Sequence, residues 1–515
     1  MNASNALIKT LISNGLEVVF ANPGTSEMHL VAAIDHNPAV RPVLGLFEGV
    51  VSGAADGYAR MSGKSAANLL HLGPGLGNAF ANIHNAKKAC SPMINIVGDH
   101  ASYHLKHNAP LTSDLDGLAK SSSDWVKRVS SPEQITQCAN DAWKAANQAP
   151  GNIATLIVPA DYAWSDIGSD LPKKVELNNR KSVDNKLIEA AYKLLLKPNS
   201  MLYLGGKFLD EECLKFAAQI ATKTGCRLVT DTFVSRIRRG AGLPIVQQVP
   251  YFSEMAEDFL QGTESIVFIG TKPPVSFFAY PDKKSFLSPD EAELFELCSV
   301  EENGYEALAL LSELSGSPKI ANELIRPYIA DVPTSGDLDV TTLGPLIADI
   351  MPEESIVSDE SATSSLIVTP HALQAKPHDW LALTGGSIGQ GLPLAIGASI
   401  AKPDRPVITL HGDGGAMYTV QALWTQAREN LNITNIIFSN RSYEILKIEL
   451  DRVQAVETGE RAASMFSMDN PPIDWVNLAE SMGVQGYKPK TVKEFKDVFS
   501  KSVNESGPSL IEIEI

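Results

Sequence analysis

The chain has 515 residues, 44% hydrophobic and 20% charged, the make-up of a globular protein too long for one core. Its formal net charge of −17 excludes a nucleic-acid binder, which needs a basic face, and a bare electrostatic hold on an anionic membrane. Five scattered cysteines without CxxC spacing fit reduced thiols in a cytoplasmic protein, MNASNALIKTLISNG does not read as a signal peptide, and no run of about 18 apolar residues predicts a membrane span.

In chain order, Ala6 to Ile12 has helical periodicity and Val18-Val19-Phe20 reads as a strand. Asn22-Pro23-Gly24-Thr25-Ser26-Glu27 reads as a turn entering a helix that Thr25 or Ser26 could cap. Val43 to Phe47 is a short strand ending at Glu48, followed by a small-residue helix from Gly49 to Met61. Ala67 to Leu70 ends on His71 and opens into Gly73-Pro74-Gly75-Leu76-Gly77-Asn78; Met93 to Val97 ends on Gly98-Asp99-His100. After a polar linker at 168–186, strands are expected at Met201–Leu204, Arg227–Val229 and Ser265–Ile269. The basic run Arg236-Ile237-Arg238-Arg239 reads as a solvated loop. A second linker covers 332–336. In the last block Val407 to Leu410 is a buried strand, Gly412-Asp413-Gly414-Gly415 a turn, Thr419 to Glu429 an amphipathic helix, and Ile433 to Phe438 a strand ending on Ser439-Asn440-Arg441-Ser442. The alternation of strand and helix predicts an α/β fold of three parallel-sheet domains, 1–168, 187–331 and 337–515.

Parallel strands joined by a helix bring their carboxyl ends to one edge, where α/β folds bind ligands. Asp413 and Asn440 therefore face the same crevice. A carboxylate, an amide oxygen and a backbone carbonyl suit a hard cation such as Mg²⁺ or Ca²⁺, and the flanking glycines let N–H groups approach a phosphate. The stretch from Val407 to Leu446 reads as a metal–diphosphate clamp. His411 beside it is expected to pack on a neighbouring strand, since Mg²⁺ prefers oxygen.

Along its full length the chain resembles the thiamine-diphosphate-dependent 2-oxo acid decarboxylase and acetolactate synthase superfamily. Three stretches carry the likeness: Gly412-Asp413-Gly414 with Asn440, Glu48 in GLFEGVVSGAADGYAR, and Leu383-Thr384-Gly385-Gly386-Ser387-Ile388-Gly389. The resemblance implies a pyrimidine-binding, a middle and a diphosphate-binding domain, in that order. It implies Mg²⁺ held by Asp413, Asn440 and the Ser442 carbonyl. Gly412, Gly414, Gly415, Ala416, Tyr443, Thr363 and Asn78 would contact thiamine diphosphate. Glu48 would bond N1′ of the aminopyrimidine, a task suited to a carboxylate in an apolar neighbourhood that exchanges a proton with a ring nitrogen. The Gly386 carbonyl would accept from N4′, Ser387 would line the site, and Ile388 would wedge the cofactor into a V.

Within the superfamily the chain is most similar to benzoylformate decarboxylase. Asn22-Pro23-Gly24-Thr25 resembles its Asn-Pro-Gly-Ser turn, so Thr25 takes the role of binding the substrate carboxylate; Leu70-His71 resembles its Leu-His, an active-site acid/base. Leu111-Thr112 falls in a similar stretch. The middle-domain His of that enzyme has no counterpart in PPVSFFAYPD, where Ala279 or a neighbour stands. The segment from Asp99 to Asn108 resembles the histidine loop of pyruvate decarboxylase, with His107 at the first paired position and Asn108 at the second. Leu446 stands where that family has a Glu, and Pro110-Leu111 replaces the Phe-Gln of acetolactate synthase. Seven of the ten histidines lie in the first 107 residues; His71, then His107, then His104 are the acid/base candidates, and His100 reads as structural.

The resemblance implies decarboxylation of a small-molecule 2-oxo acid through a C2 ylide and an enamine. The alternatives are a carboligase of acetolactate synthase type and a non-catalytic thiamine-diphosphate-binding regulator. It further implies a homodimer or homotetramer with the site between subunits. FAD is not compelled by the sequence. Phe277, Phe278, Tyr103 and Leu446 suggest apolar walls.

Overall fold

The computed structural model describes residues 1–168, 171–329, 331–453 and 459–515. Residues 169–170 of the first linker lie outside the described residues. Three sheets organise the chain. The first has six parallel strands in the order Arg41–Leu44, Val18–Ala21, Ala66–His71, Met93–Asp99, Ile153–Pro159, Trp125–Arg128. Every residue of Met93–Asp99 and Ile153–Pro159 is buried, because helices cover both faces of a parallel sheet. The second sheet runs Gln247–Gln248, Arg227–Thr230, Ser200–Leu204, Ser265–Ile269, Glu293–Cys298. The third runs Gln485–Tyr487, Ser509–Glu514, Ile433–Ser439, Val407–Gly412, Ile356–Glu360, His378–Ala382, Ile237–Arg239. No described helix is long and apolar enough to cross a membrane.

The last of these strands corrects the sequence reading. Arg236 to Arg239 is not a solvated loop: Ile237–Arg239 leaves the middle segment and pairs antiparallel with His378–Trp380 of the third sheet. Arg239, 4% exposed, stacks its guanidinium 3.5 Å from the centroid of the Trp380 ring, and Arg236 Nε binds Asp379 Oδ1 at 2.7 Å. A three-residue edge strand with one apolar side chain has no readable period. Its burial depends on the distant Trp380 and Asp379, which hydropathy cannot show.

The first and third sheets are joined by two crossing helices, Glu48–Ser62 and Gly391–Ala401. The crossing is tight enough that a Cβ at Gly57 would overlap the Leu394 carbonyl, and one at Gly53 would meet Pro393 Cγ at 2.7 Å. At its far end a buried bidentate pair fixes the crossing. Arg60 Nε and Nη2 donate to Asp56 Oδ1 and Oδ2 at 2.9 and 2.7 Å, with side chains 1% and 0% exposed. Arg60 also donates to the Ala382 carbonyl at 2.8 Å and to Thr384 Oγ1 at 3.0 Å, while Gln390 Nε2 donates to Asp56 Oδ2 at 2.6 Å. Charges out of water persist only when paired and fully bonded, and both are. Arg60→Met is expected to cost about 3–5 kcal/mol by stranding the Asp56 carboxylate, seen as a fall in apparent melting temperature. The double variant Asp56→Leu/Arg60→Met should recover most of it. A single variant that melts with the wild type contradicts this account.

Candidate active site

The carboxyl edge of the first sheet gathers one group of residues. Glu48 is the first residue of its helix and 7% exposed, and Asn78 Nδ2 donates to its Oε2 at 2.9 Å. His71 ends the strand Ala66–His71, with Nδ1 2.8 Å from Glu27 Oε2 and 3.1 Å from Ser26 Oγ. Glu27 is fully buried, and its carboxylate also accepts from Gly24 N at 2.8 Å and Ser26 Oγ at 2.6 Å. A carboxylate on one ring nitrogen fixes the imidazole and leaves the other nitrogen for proton transfer.

Neither Thr25 nor Ser26 caps the turn as the sequence suggested; the Glu27 side chain reaches back to Gly24 N instead. Thr25 is exposed, on the same short turn. Glu27 was missed in the sequence, although a Glu three residues after the cap position is the signature of a capping box. His107 and His104 are exposed and pack in a row with His100, ring centroids 5.7 and 5.4 Å apart. That row stands apart from the Glu27–His71 bonds, and His100 Nε2 is buried without a partner.

The third sheet gathers the second group. Its strand Val407–Gly412 feeds a single helical turn, Asp413–Ala416, with Ala416 fully buried. The Asp413 carboxylate is 2% exposed and accepts from Gly414 N and Arg441 N, both at 2.8 Å. No cation of the described residues pairs with it, and burial pushes its carboxyl above the ordinary range against the pull of those N–H groups. Asn440 Oδ1 accepts from Ser442 N at 2.9 Å. Among the described residues no three or more His, Cys, Asp or Glu gather as a metal site. One desolvated carboxylate, one amide oxygen and a carbonyl are instead the partial set of a hard cation that completes its shell with phosphate and water. The donor set fits such an ion. Tyr443 crowds Gly414, where a Cβ would overlap its ring, and Thr363 lies on the turn Ala362–Ser364 beyond strand Ile356–Glu360.

Between the two groups runs the segment from Thr384 to Gly389, held by one helix of the first domain, Leu72–Lys88. Asn82 donates to the Gly389 carbonyl at 3.2 Å, His84 Nε2 lies 3.1 Å from the Gly385 carbonyl, and Asn85 donates to the Ser387 carbonyl at 2.7 Å. The Gly386 carbonyl accepts no such bond among the described residues. Gly386 has φ +71, and a Cβ there would lie 2.5 Å from Phe277 Cζ, so any side chain would be strained and would have to displace that ring. Ile388 is half-buried beside it. The Phe277 ring packs on Phe278, Tyr251 and Phe233 at 5.0, 5.5 and 5.8 Å. Tyr251 reaches Glu449 on helix Glu444–Arg452, which also carries the exposed Leu446. Tyr103 is exposed elsewhere, on the His100–His107 loop.

His411 lies against a neighbouring strand, its Nε2 3.4 Å from Glu360 Oε2. Burial opposes charge on both. The mutual attraction nonetheless holds the Glu360 carboxyl below its ordinary range and raises the His411 imidazole above its own. Glu360 was not singled out in the sequence, where DES offers no spacing that marks it.

Models of two parts of one family match the chain: the thiamine pyrophosphate enzyme N-terminal TPP binding domain over residues 1–119, and the C-terminal TPP binding domain over 362–513. A Mycobacterium tuberculosis protein provisionally named an acetolactate synthase large subunit is 44% identical over 100% of this chain and 99% of its own. Benzoylformate decarboxylase of Pseudomonas aeruginosa is 25% identical over 99% and 98%. The structure of a thiamine diphosphate-dependent 4-hydroxybenzoylformate decarboxylase from Rhodococcus jostii superposes with a TM-score of 0.86 at 24% identity, covering 100% and 99%. The three-domain α/β architecture is common to such enzymes. Asp413→Ala is expected to abolish metal-dependent retention of thiamine diphosphate. Retention that is unchanged by the substitution, measured after dialysis with and without chelator, would mean the clamp lies elsewhere.

Proposed function

The chain belongs to the thiamine pyrophosphate enzyme family, and from that premise we propose that it decarboxylates a 2-oxo acid with an apolar side chain to an aldehyde. It is a thiamine diphosphate-dependent enzyme of the decarboxylase and acetolactate synthase superfamily, whose members act on small-molecule 2-oxo acid substrates. When bound, the cofactor supplies a carbon nucleophile and an electron sink. Asp413, Asn440 and the Ser442 carbonyl would hold Mg²⁺, with Gly412, Gly414, Gly415, Ala416, Tyr443 and Thr363 around the diphosphate. The Gly386 carbonyl would take the exocyclic amine, Ser387 would flank it, and Ile388 would fill the bend between the rings.

Glu48 would hold a proton against the pyrimidine ring nitrogen through Oε1, since Asn78 already occupies Oε2. Thr25 would receive the substrate carboxylate by hydrogen bonding. That suits a chain of net charge −17, whose wider repulsion is screened beyond about 8–10 Å. The observation that carries decarboxylation is His71, oriented by the buried Glu27 at 2.8 Å as a proton donor. His107 is the second candidate. The rings of Phe277 and Phe278 beside Gly386 support an apolar substrate side chain.

Among the described residues neither Glu48 nor His71 bonds to the clamp of its own chain; their side-chain partners are Asn78, Glu27 and Ser26. We therefore place each complete site between two subunits, in a dimer or a dimer of dimers. Residues 1–168, 187–331 and 337–515 would be the pyrimidine-binding, middle and diphosphate-binding domains. The five free cysteines suit the cytoplasm, and no step here needs FAD.

The 44% identical relative's name favours a second reading, a carboligase joining two 2-oxo acids. With pyruvate alone, free acetaldehyde supports the decarboxylase, and acetolactate as sole product supports the carboligase. Glu48→Gln should bind the cofactor and lose CO₂ release; undiminished release sinks the mechanism.

A further inference from the structure

Glu360 binds the two halves of the cofactor site to each other. It ends the strand Ile356–Glu360, in register with His411 on the neighbouring strand Val407–Gly412. Its Oε1 accepts from Gly389 N at 2.6 Å, and its Oε2 from Gln390 N and Gly391 N, both at 2.7 Å. Those N–H groups close the segment that carries Gly386 and Ile388 and open the helix Gly391–Ala401, where backbone donors lack helical partners. An ordinary cap is the side chain of the N-cap residue. The N-cap here, Gln390, sends its side chain to Asp56 instead, and the carboxylate comes from the strand beside the clamp.

The other face of Glu360 meets the clamp. His411 Nε2 lies 3.4 Å from Oε2, and His411 Nδ1 is 3.0 Å from the Gly412 carbonyl, one residue before Asp413. Glu360 is 5% exposed and His411 fully buried, so water offers neither an alternative partner. Two glycines make room for the pair: a Cβ at Gly415 would lie 2.7 Å from Glu360 Oε1, and one at Gly391 2.7 Å from His411 Cδ2.

We infer that Glu360, with His411, is a positioning residue that sets the spacing between the Gly386–Ile388 segment and the Asp413 clamp. It touches neither substrate nor cofactor. It decides whether a ligand gripped at its diphosphate presents its other end to the Gly386 carbonyl. This rests on the cofactor placement proposed above.

The test compares wild type, Glu360→Gln and His411→Gln by three readouts: calorimetric affinity for thiamine diphosphate with Mg²⁺, hydrogen–deuterium exchange at the cofactor's C2, and amide exchange over Gly389–Gly391 without cofactor. Glu360→Gln removes the charge and sets an NH₂ donor against backbone donors. Affinity should change less than about threefold, because the diphosphate grip is intact, while C2 exchange slows more than about tenfold. The three amides should exchange more than about tenfold faster. His411→Gln should move both rates the same way, by less, and serves as the test if Glu360→Gln does not fold. Unchanged C2 exchange with intact amide protection overturns the inference. So does a parallel loss of affinity and C2 exchange with amide protection lost throughout the chain rather than at Gly389–Gly391, the mark of general damage. If wild type shows no C2 exchange, the proposed reaction has failed instead, and unchanged amide protection then overturns the positioning role by itself.

Discussion

The close crossing of the helices Glu48–Ser62 and Gly391–Ala401 is the constraint on which the site depends. One helix begins at Glu48, and the other begins where the Gly386–Ile388 segment ends, so their contact fixes how one chain presents its two halves, which the proposed dimer would pair with those of a second chain. Glycines at 53 and 57 let the backbones approach, and the Asp56–Arg60 pair fixes the far end. A side chain at Gly57 would push the helices apart by overlapping Leu394. Because interiors are close-packed and transmit strain, that shift would reach both ends of the crossing.

Buried charge near the site is stabilised by backbone dipoles as much as by opposite charge. Glu27 accepts from Gly24 N, Glu360 from three successive N–H groups, and Asp413 from two. Backbone donors cannot titrate or swing away, so they hold these carboxylates in place with little reorganisation. Among the described residues no cation pairs with Asp413, so its carboxylate is the one suited to take up a divalent ion in the proposed site.

The placement of much of the candidate site was legible because its residues sit near strand ends, where hydrophobic runs break. Asp413, Asn440 and His71 follow or end such runs; Glu48 instead opens a helix, and the strand before it runs Arg41–Leu44 rather than Val43 to Phe47. Periodicity also placed the strand Ile433–Ser439 to within one residue. What stayed hidden depends on partners far apart in sequence. Glu360 acquires meaning only beside His411 and Gly389, and Glu27 only beside His71. Ile237–Arg239 became a strand through Trp380 and Asp379, more than a hundred residues away in sequence and a single ring stacking distance in space. Thr25 and His107 are exposed, and no side-chain hydrogen bond among the described residues marks either of them.

The most direct measurement incubates the protein, loaded with thiamine diphosphate and Mg²⁺, with benzoylformate and follows CO₂ and organic product together by NMR. The account predicts CO₂ and benzaldehyde in equal amounts, lost when the cofactor is withheld. No cofactor-dependent CO₂ from benzoylformate or from any branched 2-oxo acid would contradict it.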